Sequence, residues 1–565
     1  MPQDRKLRPP ATLPADLVAA MVVSIMLVPQ SLAYALLAGL PVETGLYASV
    51  LPLVAYAALG SSRVLAVGPV AVISLMTATA ISGIDPAAGV TPIAAALALA
   101  ALSGVVLMVF GALKLGALAN FLSHPVISGF MTASALIIIV SQVKPLSGLP
   151  LDGYTLLDVG RSLAAVGFHL HLPTAAVGLA TIMFLLWARH LLPGLARRLG
   201  LSASRAALAS RIAPVFAVIV AIAASITFDF KAMGIAVVGA VPQGLPPLTL
   251  PPLSPALLLD LLLAAAAIAL IGFVESVSVA QTLAARRRDS VDPDRELLGL
   301  GAANLAAAFS GGMPVSGGFA RSIVNFDAGA ATRLAGALSA LGILFAMMYL
   351  TPYLAALPKA VLAATIIVTV SQLVDFNAVG RVWRYARTDA AAMMVTIAVV
   401  LAKGVEWGVA AGVAVSLALH LWRTSRPHMA VVGRVPGSEH FRNVLRHHVL
   451  TAPEVLNLRV DESLYFANAR YLETQIAQLI ADHPEIKHLV LMCSAVNFVD
   501  ASALESLETI NERLKTAGVT FHLSEIKGPV MDRLKKSAFL DHLTGQVFLS
   551  QYDALKALSP ALAAP

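Results

Sequence analysis

The chain has 565 residues, of which 58% are hydrophobic and 13% charged, about half the charged share of an ordinary soluble domain. That balance excludes a compact soluble enzyme and points to a polytopic membrane protein. The formal charge of +7 would suit a nucleic-acid partner only as a continuous basic patch. Here the basic residues lie in short clusters between apolar runs, as a positive-inside bias requires, so no nucleic acid is expected. A single cysteine, Cys493, rules out an intrachain disulfide and a cysteine zinc site.

Residues 1–12 read as a cytoplasmic N-terminus without a cleavable signal, because the first apolar run follows directly and no small-residue cleavage site ends it. Apolar runs long enough to cross about 30 Å of hydrocarbon then begin near residues 13, 44, 66, 92, 121, 173, 211, 256, 297, 318, 332, 358, 388 and 405, about fourteen spans within a transport domain of 13–424. Even numbers of spans separate the basic clusters Arg5–Arg8, Arg189–Arg211, Arg286–Arg288, Arg381–Arg387 and Arg423–Arg426. All of them can face one side, which places both termini in the cytoplasm of a cell (inner) membrane protein. The Pro-rich stretch Val241 to Pro255 is then a stiff external loop joining two halves.

Two of the runs are broken. Gly311 to Asp327 reads GGMPVSGGFARSIVNFD and holds a fixed charge, Arg321. Lipid offers nothing to free backbone N–H groups, so such a break survives only where it is buried in protein or lines a cavity. A helix resuming after Gly318 would turn its positive end and free N–H groups toward an anion, with Arg321 adding a full charge. The other break, VGPVAVIS, holds Pro69 and Val70. An offset of 314 − 69 = 245 maps Pro69 and Val70 onto Pro314 and Val315, and Gln30 onto Glu275. Two halves of seven spans with inverted topology follow, and paired interrupted spans are the sequence mark of a midplane transporter site.

Glu275 stands inside an apolar run. A carboxylate at membrane depth costs a few kcal/mol, and a proton removes that cost, so Glu275 is a candidate proton carrier. A cation ligand and a static partner of Arg321 are the competing roles. Gln30, Tyr34 and Arg321 each have a rival reading as well: a bond to a neighbouring helix, core packing and snorkelling to an interface. GLGAAN at 299–304 lacks the third glycine of a dinucleotide fingerprint, no Walker A sequence occurs, and His440, His447 and His448 form no ligand set. No cofactor, metal or enzymatic activity is expected.

After Trp422 charges become frequent. Val455–Leu458, His488–Met492 and Thr520–Leu523 read as strands, with helices over Ala467–Ala481 and Ser502–Ala517 and Gly518 as a helix stop. This is a small α/β domain over 447–555, after a basic linker at 425–446 and before a tail at 556–565.

The stretch VPQSLAYALLAGLPVETGLYAS, Val28 to Ser49, strongly resembles the first signature of the SulP anion transporters, whose animal relatives are the SLC26 proteins. The likeness continues through GPVAVISLMT (68–77), SHPVISGF (123–130) and RSIVNFDAGAATRLAG (321–336), and the tail resembles a STAS domain. The resemblance implies a mainly α fold of about fourteen spans in a 7+7 inverted repeat, a core moving against a gate, a cytoplasmic α/β STAS domain and a homodimer. It also implies that Gln30 and Tyr34 face the anion, that Pro69 and Val70 form one break, and that Gly317, Gly318, Phe319, Ala320 and Arg321 form the other.

Bicarbonate-transporting relatives place an acid at Glu275 in a sodium site, with hydroxyls where this chain has Phe319 and Val279. GGFAR at 317–321 instead resembles plant sulfate transporters, which work with protons. The expectation is proton-coupled symport of a small oxyanion, sulfate first and dicarboxylates next. Sodium-coupled bicarbonate symport and an anion exchanger or channel are the alternatives. In the tail, VNFVDASALESL (496–507) resembles the STAS strand-to-helix turn, with Asp500 and Ser502 as helix-start acceptors. Ala501 stands where relatives often carry a phosphorylatable residue, and the domain is expected to support the dimer or dock a cytoplasmic protein.

Overall fold

The computed structural model describes residues 12–84, 89–117, 123–149, 156–166, 170–200 and 202–563. Arg5, Lys6 and Arg8 lie outside the described residues. The chain forms two compact units that divide after Ser416.

In the first unit α1 (Leu13–Leu37), α2 (Val42–Tyr47) and α3 (Leu51–Leu59) lead to the short strand β1 (Val67–Gly68) and α4 (Ala71–Ser82). Then come α5 (Pro92–Ala112), α6 (His124–Ser141), α7 (Val143–Ser147), α8 (Leu156–Val166), α9 (Leu172–His190), α10 (Leu192–Arg198) and α11 (Ala203–Thr227). The second half runs α12 (Pro255–Arg286), α13 (Pro293–Phe309), β2 (Ser316–Gly317), α14 (Phe319–Asp327), α15 (Leu334–Tyr349) and α16 (Thr351–Leu354). It ends with α17 (Lys359–Val370), α18 (Phe376–Tyr385), α19 (Arg387–Lys403) and α20 (Val405–Thr424).

Every expected span start falls within a few residues of one of these elements. Seven helical segments among the described residues are long and apolar enough to cross a membrane unaided. Several others are short because the chain is broken there: α4 has 12 residues and α14 only 9. Both breaks are extended segments that pair with each other, β1 running antiparallel to β2 with Val67 opposite Gly317 and Gly68 opposite Ser316. This pairing supplies partners for backbone that lipid leaves unsatisfied. The half-helix starts correct the repeat arithmetic. The half-helices start at Ala71 and Phe319, an offset of 319 − 71 = 248, so Pro69–Val70 corresponds to Gly317–Gly318. Pro314–Val315 belongs to the turn that follows Gly311, whose φ is +72°.

Two packed groups make up this unit. In one, α13 lies on α3 and α5, α12 on α5, and α1 on α14 and α15; in the other, α19 lies on α6, and α17 on α6, α7 and α9. Small residues set the closest approach in the first group. A Cβ on Gly104 of α5 would stand 2.9 Å from the Gly301 carbonyl oxygen, and one on Gly301 of α13 would stand 3.0 Å from that of Gly104. Helices meet this closely in lipid only through such residues.

The second unit carries a sheet of order β4-β3-β5-β6-β7-β8, from β3 (Met429–Arg434) and β4 (Phe441–Asn443) through β5 (Val455–Val460), β6 (His488–Met492) and β7 (Thr520–Ser524) to β8 (Val547–Phe548). β3 is antiparallel to β4 and β5, and the β5 to β8 ladder is parallel. The helices α21 (Ala469–Asp482) and α22 (Ala501–Thr516) supply the crossovers that parallel strands require, and Leu458, Leu489, Phe521 and Phe539 sit in the core between the layers.

The stretch read as a linker is therefore partly sheet. β3 alternates half-buried Met429 and Val431 with buried Ala430 and Val432, a pattern too brief to stand out among charges. The expected tail is packed as well: α23 (Gly528–Leu534) and α24 (Phe539–His542) precede β8, then α25 (Gln551–Leu558) and α26 (Pro560–Ala563) follow it. Leu555 and Leu562 from these last two helices pack on Ala430, Val432 and Phe441.

Candidate functional site

The site begins at the two breaks. Val70 precedes α4 and Gly318 precedes α14, so each half-helix starts with unbonded N–H groups and the positive end of its dipole. Both starts line one cavity of ≈ 250 Å³, Val70 to Val72 from one side and Gly318 to Arg321 from the other, together with Gln30, Tyr34 and Glu275. Of the residues singled out from the sequence, the cavity brings together Gln30, Tyr34, Val70, Gly318, Phe319, Ala320, Arg321 and Glu275. Pro69 and Gly317 stand just behind it, at the ends of β1 and in β2. Pro29 interrupts the α1 ladder one residue before Gln30.

Arg321 is 3% exposed, and neither of its Nη atoms has a hydrogen-bond partner among the described residues. It is buried in place and does not snorkel. Glycines give it room: a Cβ on Gly318 would stand 2.8 Å from its Nε and Nη2, and one on Gly68 would stand 3.3 Å from Nη1. A cation at the positive ends of two helices raises the local potential further, so the pocket is set up for an anion.

Glu275, half-buried with its Oε2 enclosed, differs from the fully buried acids of the unit. Glu296 accepts hydrogen bonds from the Tyr56 hydroxyl (2.7 Å), the Ser61 N–H (2.8 Å) and hydroxyl (2.6 Å) and the Ser62 N–H (2.7 Å), fixing the loop before β1. Asp16 accepts from the N–H groups of Ala331 (2.8 Å) and Thr332 (2.9 Å). Those two carboxylates are structural. Glu275 Oε2 is buried without a partner, and no ion pair joins Glu275 to Arg321. Glu275 and Arg321 thus line one cavity without a direct ion pair between them.

Side chains that the sequence reading passed over hold the broken backbone. Ser276 Oγ accepts from the Gly317 N–H (2.8 Å) and lies 2.9 Å from Ser316 Oγ. Asn304, from the GLGAAN stretch, accepts from the Val315 N–H (3.0 Å) and donates to its carbonyl (2.9 Å). Ser322 Oγ accepts from the Ala66 N–H (3.0 Å). Their signal in the sequence was a small polar residue in or beside an apolar run, which alone does not distinguish a backbone partner from a packing residue. The opposite cavity wall was also missed. It consists of Arg189 from α9, Thr369 and Val370 from α17, and Gln372 and Leu373 just after it. In the sequence Arg189 stands out only as part of a basic cluster that marks topology. A second cavity of ≈ 810 Å³ lies along the same three helices α1, α9 and α17 and includes Lys144, His171 and Lys359.

In the second unit, Asp500 Oδ1 caps α22 by accepting from the Ala503 N–H (2.8 Å), and Oδ2 accepts from the Phe466 N–H (2.9 Å). Ser502 is exposed and makes no such cap. Of the two expected helix-start acceptors, Asp500 is the one that caps the helix.

The sequence profile of the sulfate permease family matches residues 13–396, and that of the STAS domain matches residues 448–554. The chain belongs to the sulfate permease family. It is 34% identical over 555 residues to the chloroplastic sulfate transporter 4.1 of Arabidopsis thaliana, which covers 96% of this chain and 79% of that protein. It is 32% identical over 551 residues to a probable sulfate transporter of Mycobacterium tuberculosis, covering 96% and 95%. Among solved structures, the murine SLC26A9 anion transporter in its inward-facing state superposes with a TM-score of 0.87 at 25% identity, covering 97% of this chain and 92% of that one. The transmembrane domain of the cyanobacterial bicarbonate transporter BicA shares the fold with a TM-score of 0.59 at 21% identity, over 73% of this chain and 98% of that one. This sulfate permease family member is thus a polytopic membrane transporter of anions and not an enzyme, with a 7+7 inverted-repeat transport domain and a C-terminal STAS domain.

Proposed function

We propose that the transporter is a proton-coupled symporter of sulfate. One observation carries this reading: a buried guanidinium and a buried carboxylate oxygen, each without a partner, line the same cavity and do not pair with each other. A tetrahedral oxyanion in the cavity would accept hydrogen bonds from Arg321 and from the N–H groups that open α4 and α14, replacing its hydration shell with fixed donors. Glu275 would oppose that anion while ionised. Proton uptake by Glu275 removes the repulsion, so anion and proton favour each other's binding, and the loaded cavity carries both across as the two helix groups shift. Phe319 and Val279 leave the sodium alternative without the hydroxyl oxygens it needs.

The names of the plant and mycobacterial relatives, a sulfate transporter and a probable sulfate transporter, also speak for sulfate. The same reading has both termini in the cytoplasm of an inner-membrane homodimer, with the STAS domain supporting the dimer or docking a cytoplasmic protein. Purified protein in liposomes, given labelled sulfate under imposed gradients, tests it. Accumulation driven by an acidic exterior, and unaffected by sodium, is the expected result. Uptake that follows sodium, or that ignores both gradients, would refute it.

A further inference from the structure

The helix α18 connects two long elements of the transport unit and has three faces. Ala378 is buried and Val379 and Val382 are half-buried, on a helix that packs against α6 and α19. Phe376 and Trp383, two turns apart, are 66% and 47% exposed and form an aromatic stripe beside that packing face. Arg381 and Arg384 project from the next face, roughly 100° further round, and Arg387 follows at the start of α19. Arg381 is held by Asp375 at 2.5 Å, but the side chains of Arg384 and Arg387 have no hydrogen-bond or ion-pair partner among the described residues. An isolated protein gains nothing from exposing aromatic rings beside two unpaired guanidinium groups.

We propose that α18 is a binding site for an anionic phospholipid. Aromatic rings favour the headgroup level of a bilayer, and arginines beside them match phosphate by charge and by forked geometry. The cluster Arg381, Arg384 and Arg387 is one of those that mark the cytoplasmic side, where a basic surface segment meets acidic lipid. The site also reaches the cavity. Gln372 and Leu373 line the cavity wall, and two residues later Asp375 caps α18, accepting from the Ala378 N–H (3.1 Å) and donating its own N–H to Thr132 Oγ1 of α6 (3.3 Å). A lipid that fixes α18 at the membrane surface therefore also steadies this wall of the transport cavity.

Native mass spectrometry of the full-length protein in detergent, with added phosphatidylglycerol or phosphatidylcholine, reads the site without reference to the transported ion. Wild type should retain phosphatidylglycerol in preference to phosphatidylcholine, and R384Q/R387Q should lose that retention by about tenfold or more. The charge-preserving R384K/R387K, eluting as the same monodisperse species, should keep it. Hydrogen exchange over residues 371–385 should slow when phosphatidylglycerol is added to wild type, and remain unchanged for R384Q/R387Q. Equal retention of the two lipids by wild type, or undiminished phosphatidylglycerol binding by R384Q/R387Q, would overturn the proposal.

Discussion

At the scale of single residues, burial separates function from structure less well than hydrogen-bond satisfaction does. Arg321, Glu275, Glu296 and Asp16 are all charged groups in a unit built for lipid. Glu296 and Asp16 are held by several donors, whereas Arg321 and Glu275 have polar atoms with none. An unmet buried polar group costs about 1–3 kcal/mol, more when charged, and such a cost persists where a ligand meets it. Replacing Arg321 with Gln should therefore weaken anion binding by at least about tenfold while leaving the purified protein folded, measured as sulfate affinity beside thermal stability. Tighter binding in Arg321→Gln would contradict the account.

Arg189 adds a second cation to the cavity from the opposite helix group. Arg189→Gln should weaken a divalent oxyanion more than a monovalent one, because the two charges on the ligand double its electrostatic stake. Competition of sulfate uptake by nitrate is the readout.

At the scale of elements, two kinds of feature decide what could be read beforehand. Most of the apolar runs were visible because they have the length that a bilayer demands, and the strands β5, β6 and β7 were visible because they are short, mostly apolar runs between helical patterns. β3 and β4 were not, since six and three residues among charges carry too little periodicity. The repeat offset was three residues out because Pro-Val recurs easily in such a composition, and the starts of the two half-helices at Ala71 and Phe319 give the correspondence. The contact between α5 and α13 shows how tightly one packed group is specified. Gly301→Val should force these helices apart and cost about 1–3 kcal/mol, seen as a lower melting temperature of the detergent-solubilised protein.

In the STAS domain, His522 Nδ1 accepts from the Gln546 N–H (3.0 Å) and its ring meets His488, with Nε2 to Nδ1 at 3.3 Å. Burial first, and the neighbouring His488 second, push its pKa down to about 4. The unfolded chain binds this proton more readily, so the neutral ring favours the folded domain above about pH 6.5. That contribution fades as pH falls toward 4. Hydrogen exchange in β6 and β7 should accelerate over that window, and less so in His522→Gln.

At the scale of the whole molecule, fold and site are joined through the two broken spans. The two halves bring a pair of broken spans together as an antiparallel strand pair, the strand pair aims two helix starts at one cavity, and that cavity is lined by Arg321 and Glu275, each with an unpartnered polar atom, and by Arg189 on its far wall. Motif order and composition made the family and the two broken spans legible. The hydrogen-bond frame around the breaks and the far cavity wall were not legible, because they depend on which helices meet in space. The central claim is that Glu275 carries the coupling proton while Arg321 binds the anion. Its most direct test is sulfate transport by Glu275→Gln in liposomes, compared with wild type. Gln mimics the protonated carboxyl, so the variant should still exchange sulfate across the membrane but lose accumulation driven by an acidic exterior. A Glu275→Gln protein that still concentrates sulfate in response to a proton gradient would contradict the account.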